Sequence, residues 1–356
     1  MADTQSYEDA AKSTSDTNFA QFEDEHKGLL GTLQHTLHVN PALVPLIILV
    51  VAIALFGMLL GQRFFSPSTL TLILQQVQIV GVLAAAQTLV ILTAGIDLSV
   101  GAIAVLCTII MGQFTFRYGL PGEISLLVGL ACGVGIGAIS GWLVARVKIP
   151  PFIVTLGMWQ VVLASAYLFS RNETIRSSQL REDAPTLLFL GNKVSFGGAN
   201  FTFGVILMIL MVVALAYALR STAWGRHVYA VGDDPEAAQL AGVNVQRTLM
   251  SVYMLAGFIC AVAAWVMIGR FSAISPSAST GVIGNIQSIT AVVIGGISLF
   301  GGRGSIYGAF FGAMIVGVFE MGLRMAGTDP QWTFMLIGML IIGAVAIDQW
   351  IRKVSA

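Results

Sequence analysis

From residue 43 to the C-terminus the sequence is a succession of apolar runs, each close to 20 residues long and separated by short polar segments. About 20 apolar residues form a helix that crosses the hydrocarbon core of a bilayer. Only helices or closed barrels satisfy their backbone groups there. The runs therefore predict an all-α, polytopic membrane bundle. They fall at 43–60, 70–93, 97–115, 123–145, 152–170, 202–219, 249–268, 286–300, 305–325 and 332–350, about ten spans with a range of roughly eight to eleven. The range turns on whether Gly95-Ile96-Asp97 and Gly295-Gly296 separate two spans or interrupt one. Only 10% of the residues are charged, against about 25% in soluble domains, which sets a soluble enzyme aside.

Residues 1–41 have a different character. They are polar, rich in Ser, Thr, Asp, Glu and Gln, and carry a net −5 that the rest of the chain balances with +5. The positive start and early apolar stretch of a secretory signal are missing, so the segment reads as a cytoplasmic, largely disordered tail. Leu29, Leu30, Leu33 and Leu37 repeat at helical spacing, which suits a short helix over 24–37, on the membrane surface or solvated. Residues 42–356 form the membrane domain. With the N-terminus inside, ten Lys and Arg face inward against eight outward. Leaving out the mixed-charge 171–201 loop makes it ten against four, which places both termini in the cytoplasm.

Charge and cysteine usage narrow the chemistry. No concentrated basic face marks a nucleic-acid binder. Cys107, Cys132 and Cys260 all lie in apolar runs, without disulfide or metal spacing, and His26, His35 and His38 belong to the polar tail. No metal site and no cofactor held by this chain is expected. Phe300-Gly301-Gly302-Arg303-Gly304-Ser305 lacks the Lys-Ser/Thr ending of a phosphate loop, so the chain is not expected to hydrolyse a nucleotide itself.

Several polar groups inside the runs need a reason. Asp97 stands in an otherwise uncharged stretch, where a mid-bilayer carboxylate costs about 2.5–3.5 kcal/mol. Gly95 breaks the backbone, and Asp97 then either caps the next helix through the amides of Ser99 or Val100 or lines a transport path with Ser99. The two roles are compatible. Gln76 and Gln87 are eleven residues apart, about three turns, and share a face. Asn285 and Gln287 open a later span, and these amides suit a neutral hydroxylated solute or interhelical hydrogen bonds. Glu320 and Arg324 are spaced to pair along one helix. Gly129, Gly133, Gly137 and Gly141, then Gly308, Gly312 and Gly317, allow close helix approach, within one bundle or between copies. Gly95-Ile96-Asp97-Leu98-Ser99 is echoed by Gly296-Ile297-Ser298-Leu299, the kind of interrupted pair seen in repeat-built transporters.

The longest distinctive soluble segment runs over 220–248. Asp233 or Asp234 is an N-cap candidate, Pro235 fits a first helical turn, Glu236 complements the dipole and Gly242 is a stop. A short surface helix is expected there, contacting a partner or covering the underside of the bundle.

Four ordered blocks together carry a resemblance. They are Leu92-Thr93-Ala94-Gly95-Ile96-Asp97-Leu98-Ser99-Val100-Gly101, Pro150-Pro151-Phe152-Ile153-Val154-Thr155-Leu156-Gly157, the Gly225–Gly242 loop with Glu236-Ala237-Ala238, and Ala291–Ser305 with its Gly295-Gly296-Ile297-Ser298-Leu299-Phe300-Gly301-Gly302 core. From residue 43 onward the chain resembles the permeases of ribose-type ABC sugar importers, and its long polar N-terminus and 43–60 span are most similar to fructose-importer permeases. The resemblance implies a homodimer in the bacterial inner membrane, joined by a separate ATPase subunit that uses ATP and Mg, and fed by a periplasmic sugar-binding protein. It implies two pseudo-symmetric halves, spans two to five and seven to ten, and alternating access. The 233–242 helix matches the coupling helix, with Glu236, Ala237, Ala238 and Gly242 carried over as contacts. Asn285-Ile286-Gln287-Ser288 departs from the acidic Glu-Leu-Asp-Ala usual in the family, which withdraws an acidic role there. The alternatives are an ABC permease for a furanoside signal, nucleoside or amino acid, and an ion-coupled secondary transporter using Asp97 or Glu320.

Overall fold

The computed structural model describes residues 42–354; the polar tail and the helix expected over 24–37 lie outside them. The first membrane helix, α1 (Leu43–Leu60), continues through a 3₁₀ turn to Arg63. Ser66 then caps α2 (Pro67–Leu92), its hydroxyl accepting from the Thr69 amide at 3.2 Å, with Pro67 in the first turn. The order continues with α3 (Val100–Phe116), α4 (Gly122–Ala145) and α5 (Pro151–Ser170). A segment with little apolar length follows: α6 (Ser177–Asp183), a 3₁₀ stretch over Pro185–Gly191, and a hairpin of β1 (Lys193–Phe196) and β2 (Ala199–Thr202). The hairpin pairs Lys193 with Thr202 and turns at Gly197 and Gly198, both at positive φ, which glycine adopts freely.

The second half comprises α7 (Phe203–Ser221), the short helices α8 (Ala223–Asp233) and α9 (Pro235–Leu240), then α10 (Val245–Phe271), α11 (Ala278–Ile294), α12 (Ile306–Met325) and α13 (Pro330–Val354). Among the described residues seven helices are long and apolar enough to cross a membrane. Shorter apolar helices at Val100–Phe116, Ser279–Ile294 and Gln331–Gly343 bring the total to the expected ten. Both glycine-marked breaks are turns between two helices. The span expected at 286–300 is displaced: α11 starts at Ala278 and ends at Ile294. Gly295-Gly296 ends it before Ile297, Leu299 and Phe300, whose apolarity belongs to the following turn.

Two long helices, α2 and α10, are the most enclosed of the seven. α10 packs on α4 and α3, as α2 packs on α12 and α11, and α3–α5 and α11–α13 form matching contacts. The leading lengths agree as well: 26 and 17 residues for α2 and α3 against 27 and 17 for α10 and α11. This is the two-half arrangement of spans two to five and seven to ten. It also corrects the reading of the sequence echo. The equivalent of the α2–α3 break is the α10–α11 turn, so Gly95–Ser99 and Gly296–Leu299 are not symmetry partners. They meet instead, the Gly302 amide donating to the Leu92 carbonyl at 3.0 Å.

The small-residue series are consumed inside one bundle. Gly133 and Gly257 place their backbones so close that a Cβ on either would overlap the other's carbonyl oxygen, and Gly137 sits likewise on the Tyr253 carbonyl. Gly308 lies on Gly295, Gly312 on the Ala291 carbonyl and Gly317 on Val77. Large apolar side chains remain exposed on α1 (Val51, Met58), α5 (Leu168), α7 (Leu210) and α13 (Phe334, Ile342), as a lipid-facing surface requires. Gly257→Leu is expected to force α4 and α10 apart at a cost of about 1–3 kcal/mol, seen as a lower thermal midpoint in detergent. Gly135→Leu, where a Cβ meets nothing within 4 Å, should leave the midpoint unchanged.

Candidate functional site

The break between α2 and α3 is built from its hydrogen bonds. α2 ends as Thr93 donates its hydroxyl to the Val90 carbonyl at 2.8 Å and Gly95 N–H donates to the same oxygen at 3.1 Å, with Ala94 at φ +59°. Asp97 is 2% exposed. Its Oδ1 accepts from the Ser99 amide at 2.7 Å and from the Ser99 hydroxyl at 2.6 Å. Ser99 is the N-cap residue of α3, so Asp97 braces that residue from outside the helix and takes no bond from the Val100 amide.

Three neighbouring helices hold the same segment. From α2, the Gln87 amide donates to the Asp97 carbonyl at 2.9 Å and accepts from the Asp97 N–H at 3.2 Å. From α11, Asn285 Oδ1 accepts from the Gly101 amide at 2.5 Å and Nδ2 donates to the Leu98 carbonyl. From α5, the Thr155 hydroxyl donates to the Ile96 carbonyl at 3.0 Å. Backbone groups buried in an apolar bundle must be paired, and these side chains do it. Gln87, Asp97, Ser99 and Asn285, named from sequence as lining a path, are all buried and occupied in this conformation. They form a clamp around the break.

On the same side lies the 220–248 segment. Thr222 caps α8, its hydroxyl accepting from Gly225 N–H at 3.1 Å. Asp234, rather than Asp233, caps α9: its Oδ1 accepts from Glu236 N–H at 2.9 Å and Ala237 N–H at 3.0 Å, with Pro235 in the first turn. Gly242, at φ +86°, ends the helix, and Asn244 caps α10 through the Arg247 amide at 2.9 Å. Asp233, Asp234, Pro235, Glu236, Ala237 and Gly242 are exposed. Ala238 is 5% exposed and faces the bundle, which removes it from an outward contact surface. Leu240, not singled out from sequence, is 91% exposed; a leucine among small and acidic residues was the available signal.

α8 is wedged against both breaks. The Tyr229 hydroxyl donates to the Gly304 carbonyl at 2.9 Å, and burial pushes the phenol above its ordinary range. A Cβ on Gly232 would overlap the Leu92 carbonyl oxygen and lie 2.7 Å from the Gly302 nitrogen. Leu92, Gly232 and Gly302 thus meet through their backbones with no side chain between them.

At the opposite end of the bundle, where the Asn200 amide donates to the Thr71 hydroxyl at 2.8 Å, a cavity of about 110 Å³ opens between α2, α10 and α12. Gln76, Arg270, Glu320 and Arg324 line it. Glu320 accepts from Gln287 Nε2 at 3.2 Å and from Arg324 at 3.1 Å, so the helical pair anticipated for Glu320 and Arg324 is present. Arg270 donates through Nε to the Gln75 carbonyl at 3.3 Å. Gln76 and Gln287 thus belong to a second polar centre; Gln287 reaches it from the face of α11 turned away from that of Asn285, two residues earlier. Arg270 was legible only as an outward-loop charge. Among the described residues no group of His, Cys, Asp and Glu could hold a metal ion.

A helical membrane bundle with a clamped break and an exposed helical segment on one side, and a cavity carrying charged groups on the other, has the parts of a membrane transport component. Residues 69–345 match the family described as branched-chain amino acid transport system / permease component, and the chain belongs to that family. It is 64% identical to the fructose import permease protein of Rhizobium meliloti over 96% of this chain and 94% of that one. It is 32% identical to the ribose import permease protein of Escherichia coli K12, covering 85% and 92%. It is also 32% identical to the autoinducer 2 import system permease protein of Photorhabdus luminescens, covering 86% and 92%. No solved structure matches the chain.

Asp97→Ala leaves the Ser99 amide and hydroxyl unpaired inside the bundle, a cost of about 1–3 kcal/mol. Its expected outcome is a lower thermal midpoint and reduced transport. Asp97→Asn keeps the Oδ1 acceptor and should retain most of both; a stably folded Asn variant without transport would assign the work to the charge.

Proposed function

We propose that the chain is the membrane-spanning permease subunit of an ATP-driven ABC importer for a monosaccharide, fructose or a ribose-like sugar. The observation that carries this reading is the 64% identity to a fructose import permease across nearly the whole of both chains. The family description mentions branched-chain amino acids, but the ribose and autoinducer 2 permeases belong with the relatives matched over most of this chain.

The working unit is a homodimer in the bacterial inner membrane, with both termini in the cytoplasm and residues 1–41 as a cytoplasmic tail. This orientation puts α8 and α9 on the cytoplasmic side, and the β-hairpin and polar cavity on the periplasmic side. A periplasmic sugar-binding protein delivers the sugar. A separate ATPase subunit, using ATP and Mg, docks on α9. Glu236, Ala237, Gly242, Leu240 and the exposed Asp233, Asp234 and Pro235 offer the contact, with Leu240 as the apolar anchor. Ala238 anchors α9 from inside.

ATP-driven movement of α9 passes through α8 to the backbone junction of Leu92, Gly232 and Gly302. That junction touches both breaks, so it shifts the α2–α3 and α11–α12 turns together, and the Gln87–Asp97–Asn285 clamp re-forms around the new arrangement. Alternating access results. Gln76 and Gln287 stand where sugar enters; Gln87, Asp97, Ser99 and Asn285 hold the gate instead of touching the sugar. A proton- or sodium-coupled mechanism draws little support here, since the Asp97 carboxylate is engaged by Ser99 and the Glu320 carboxylate by Gln287 and Arg324.

Uptake of a labelled monosaccharide panel in cells lacking the chain and in complemented cells is the direct test. Uptake should vanish on ATP depletion and survive collapse of the proton gradient at preserved ATP; the reverse would move the protein to the secondary transporters. Separately, Glu236→Arg and Leu240→Asp should each lower uptake at least tenfold while the protein remains in the membrane at normal amount. Unchanged uptake would remove that residue from the contact.

A further inference from the structure

The polar cavity holds more charge than helix pairing requires. Arg270, Glu320 and Arg324 converge with Gln76 on one opening of about 110 Å³, in a bundle otherwise nearly free of charge. Glu320 and Arg324 satisfy one another along α12. Arg270 comes from α10, is only partly exposed, and forms no ion pair among the described residues. Its Nε is used by the Gln75 carbonyl, which fixes the guanidinium plane, while its terminal nitrogens remain as donors on the cavity. A cation placed at the edge of an apolar bundle without a carboxylate of its own costs desolvation, so its position calls for a ligand.

The donor and acceptor set specifies which kind. Arg270, Arg324 and Glu320 sum to one positive charge, so it is the mixture of donors and acceptors, and not the charge, that separates a hydroxylated ligand from a simple anion. Here a carboxylate, a primary amide and a guanidinium share one wall. Each Glu320 oxygen has a second lone pair beyond the bonds to Gln287 and Arg324, Gln76 both donates and accepts, and Arg270 only donates. A group that must give and receive hydrogen bonds on neighbouring atoms matches this set: the vicinal hydroxyls of a sugar. Accordingly we propose that the permease itself carries a sugar site in this cavity, with Glu320 accepting from a hydroxyl pair, Arg270 donating to a sugar oxygen and Gln76 bridging the two. Gln287 orients Glu320 from behind. This deepens the importer reading and rests on it for the sugar class, but it assigns selectivity to the membrane subunit as well as to whatever protein delivers the solute.

The test uses the full chain in lipid nanodiscs, without ATPase or binding protein, and observes saturation transfer to D-fructose, D-ribose and the anionic sugar acid D-galacturonate at millimolar concentration. A neutral sugar should receive saturation from the native chain. Glu320→Gln, which keeps its shape and its bond from Gln287, and Arg270→Gln should each cut that signal at least fivefold while the thermal midpoint stays within two degrees. A signal lost only in step with the midpoint assigns these residues to folding and overturns the proposal. So does stronger transfer to galacturonate than to either neutral sugar, which makes the cavity an anion site, and so does silence from the native chain. ATP-dependent uptake is scored in parallel. A chain that imports sugar but shows no transfer loses the cavity and keeps the importer reading; one that binds sugar but imports none on ATP keeps the cavity and loses the importer.

Discussion

The constraint on which this fold depends is the pairing of backbone groups where a helix stops inside an apolar bundle. Between Leu92 and Val100 the chain leaves helical geometry among packed helices, with most of the segment buried. Each exposed amide or carbonyl left unpaired there would cost about 1–3 kcal/mol. Asp97, Gln87, Asn285 and Thr155 supply the partners from three other stretches of chain. The break is therefore a tertiary feature, possible only when α2, α5 and α11 are in place. Its side chains look like the polar lining of a path when read along the sequence, because both tasks use amides and a carboxylate among apolar residues.

Close packing of backbones is the second organising fact. Gly133 against Gly257, between the halves, and Gly312 against Ala291, within the second, do what large side chains do in a soluble core: they fix one separation between helices. In lipid, where burying apolar surface gives no advantage over the bilayer, such contacts supply much of the association. The near-symmetry of α2–α5 and α10–α13 then follows from reusing one packing scheme. Contacts within the bundle absorb the glycine faces that the sequence left open to self-association.

Much of the architecture was legible because lipid imposes a length on every span. The ten helices, the short helix begun by an Asp-Pro pair and the two-half organisation all followed from run length, cap chemistry or family likeness. Boundaries were less readable. Ile297, Leu299 and Phe300 are as apolar as any span, yet they lie past a Gly-Gly stop, and the polar stretch before Asn285 is helical because it lies among other helices. The roles of Gln87 and Asn285 could not be separated from those of Gln76 and Gln287, since spacing shows a shared face and not whether that face is open or covered. Arg270 was hidden for a related reason: its helix end looked like an ordinary solvent-side charge, and only the fold brings it opposite Glu320.

The meeting of Leu92, Gly232 and Gly302 has a consequence for how such a chain can diversify. With three backbones in contact and no intervening side chain, the spot has no adjustable part. A substitution at one glycine cannot be offset by trimming a neighbour, because nothing there remains to trim. Under the proposed function, the outward residues of α9 are free to drift to suit a different motor subunit, and the cavity on the other side to suit a different cargo. The joint connecting them has a single geometry, so new specificities at either end must arise around a fixed hinge pin.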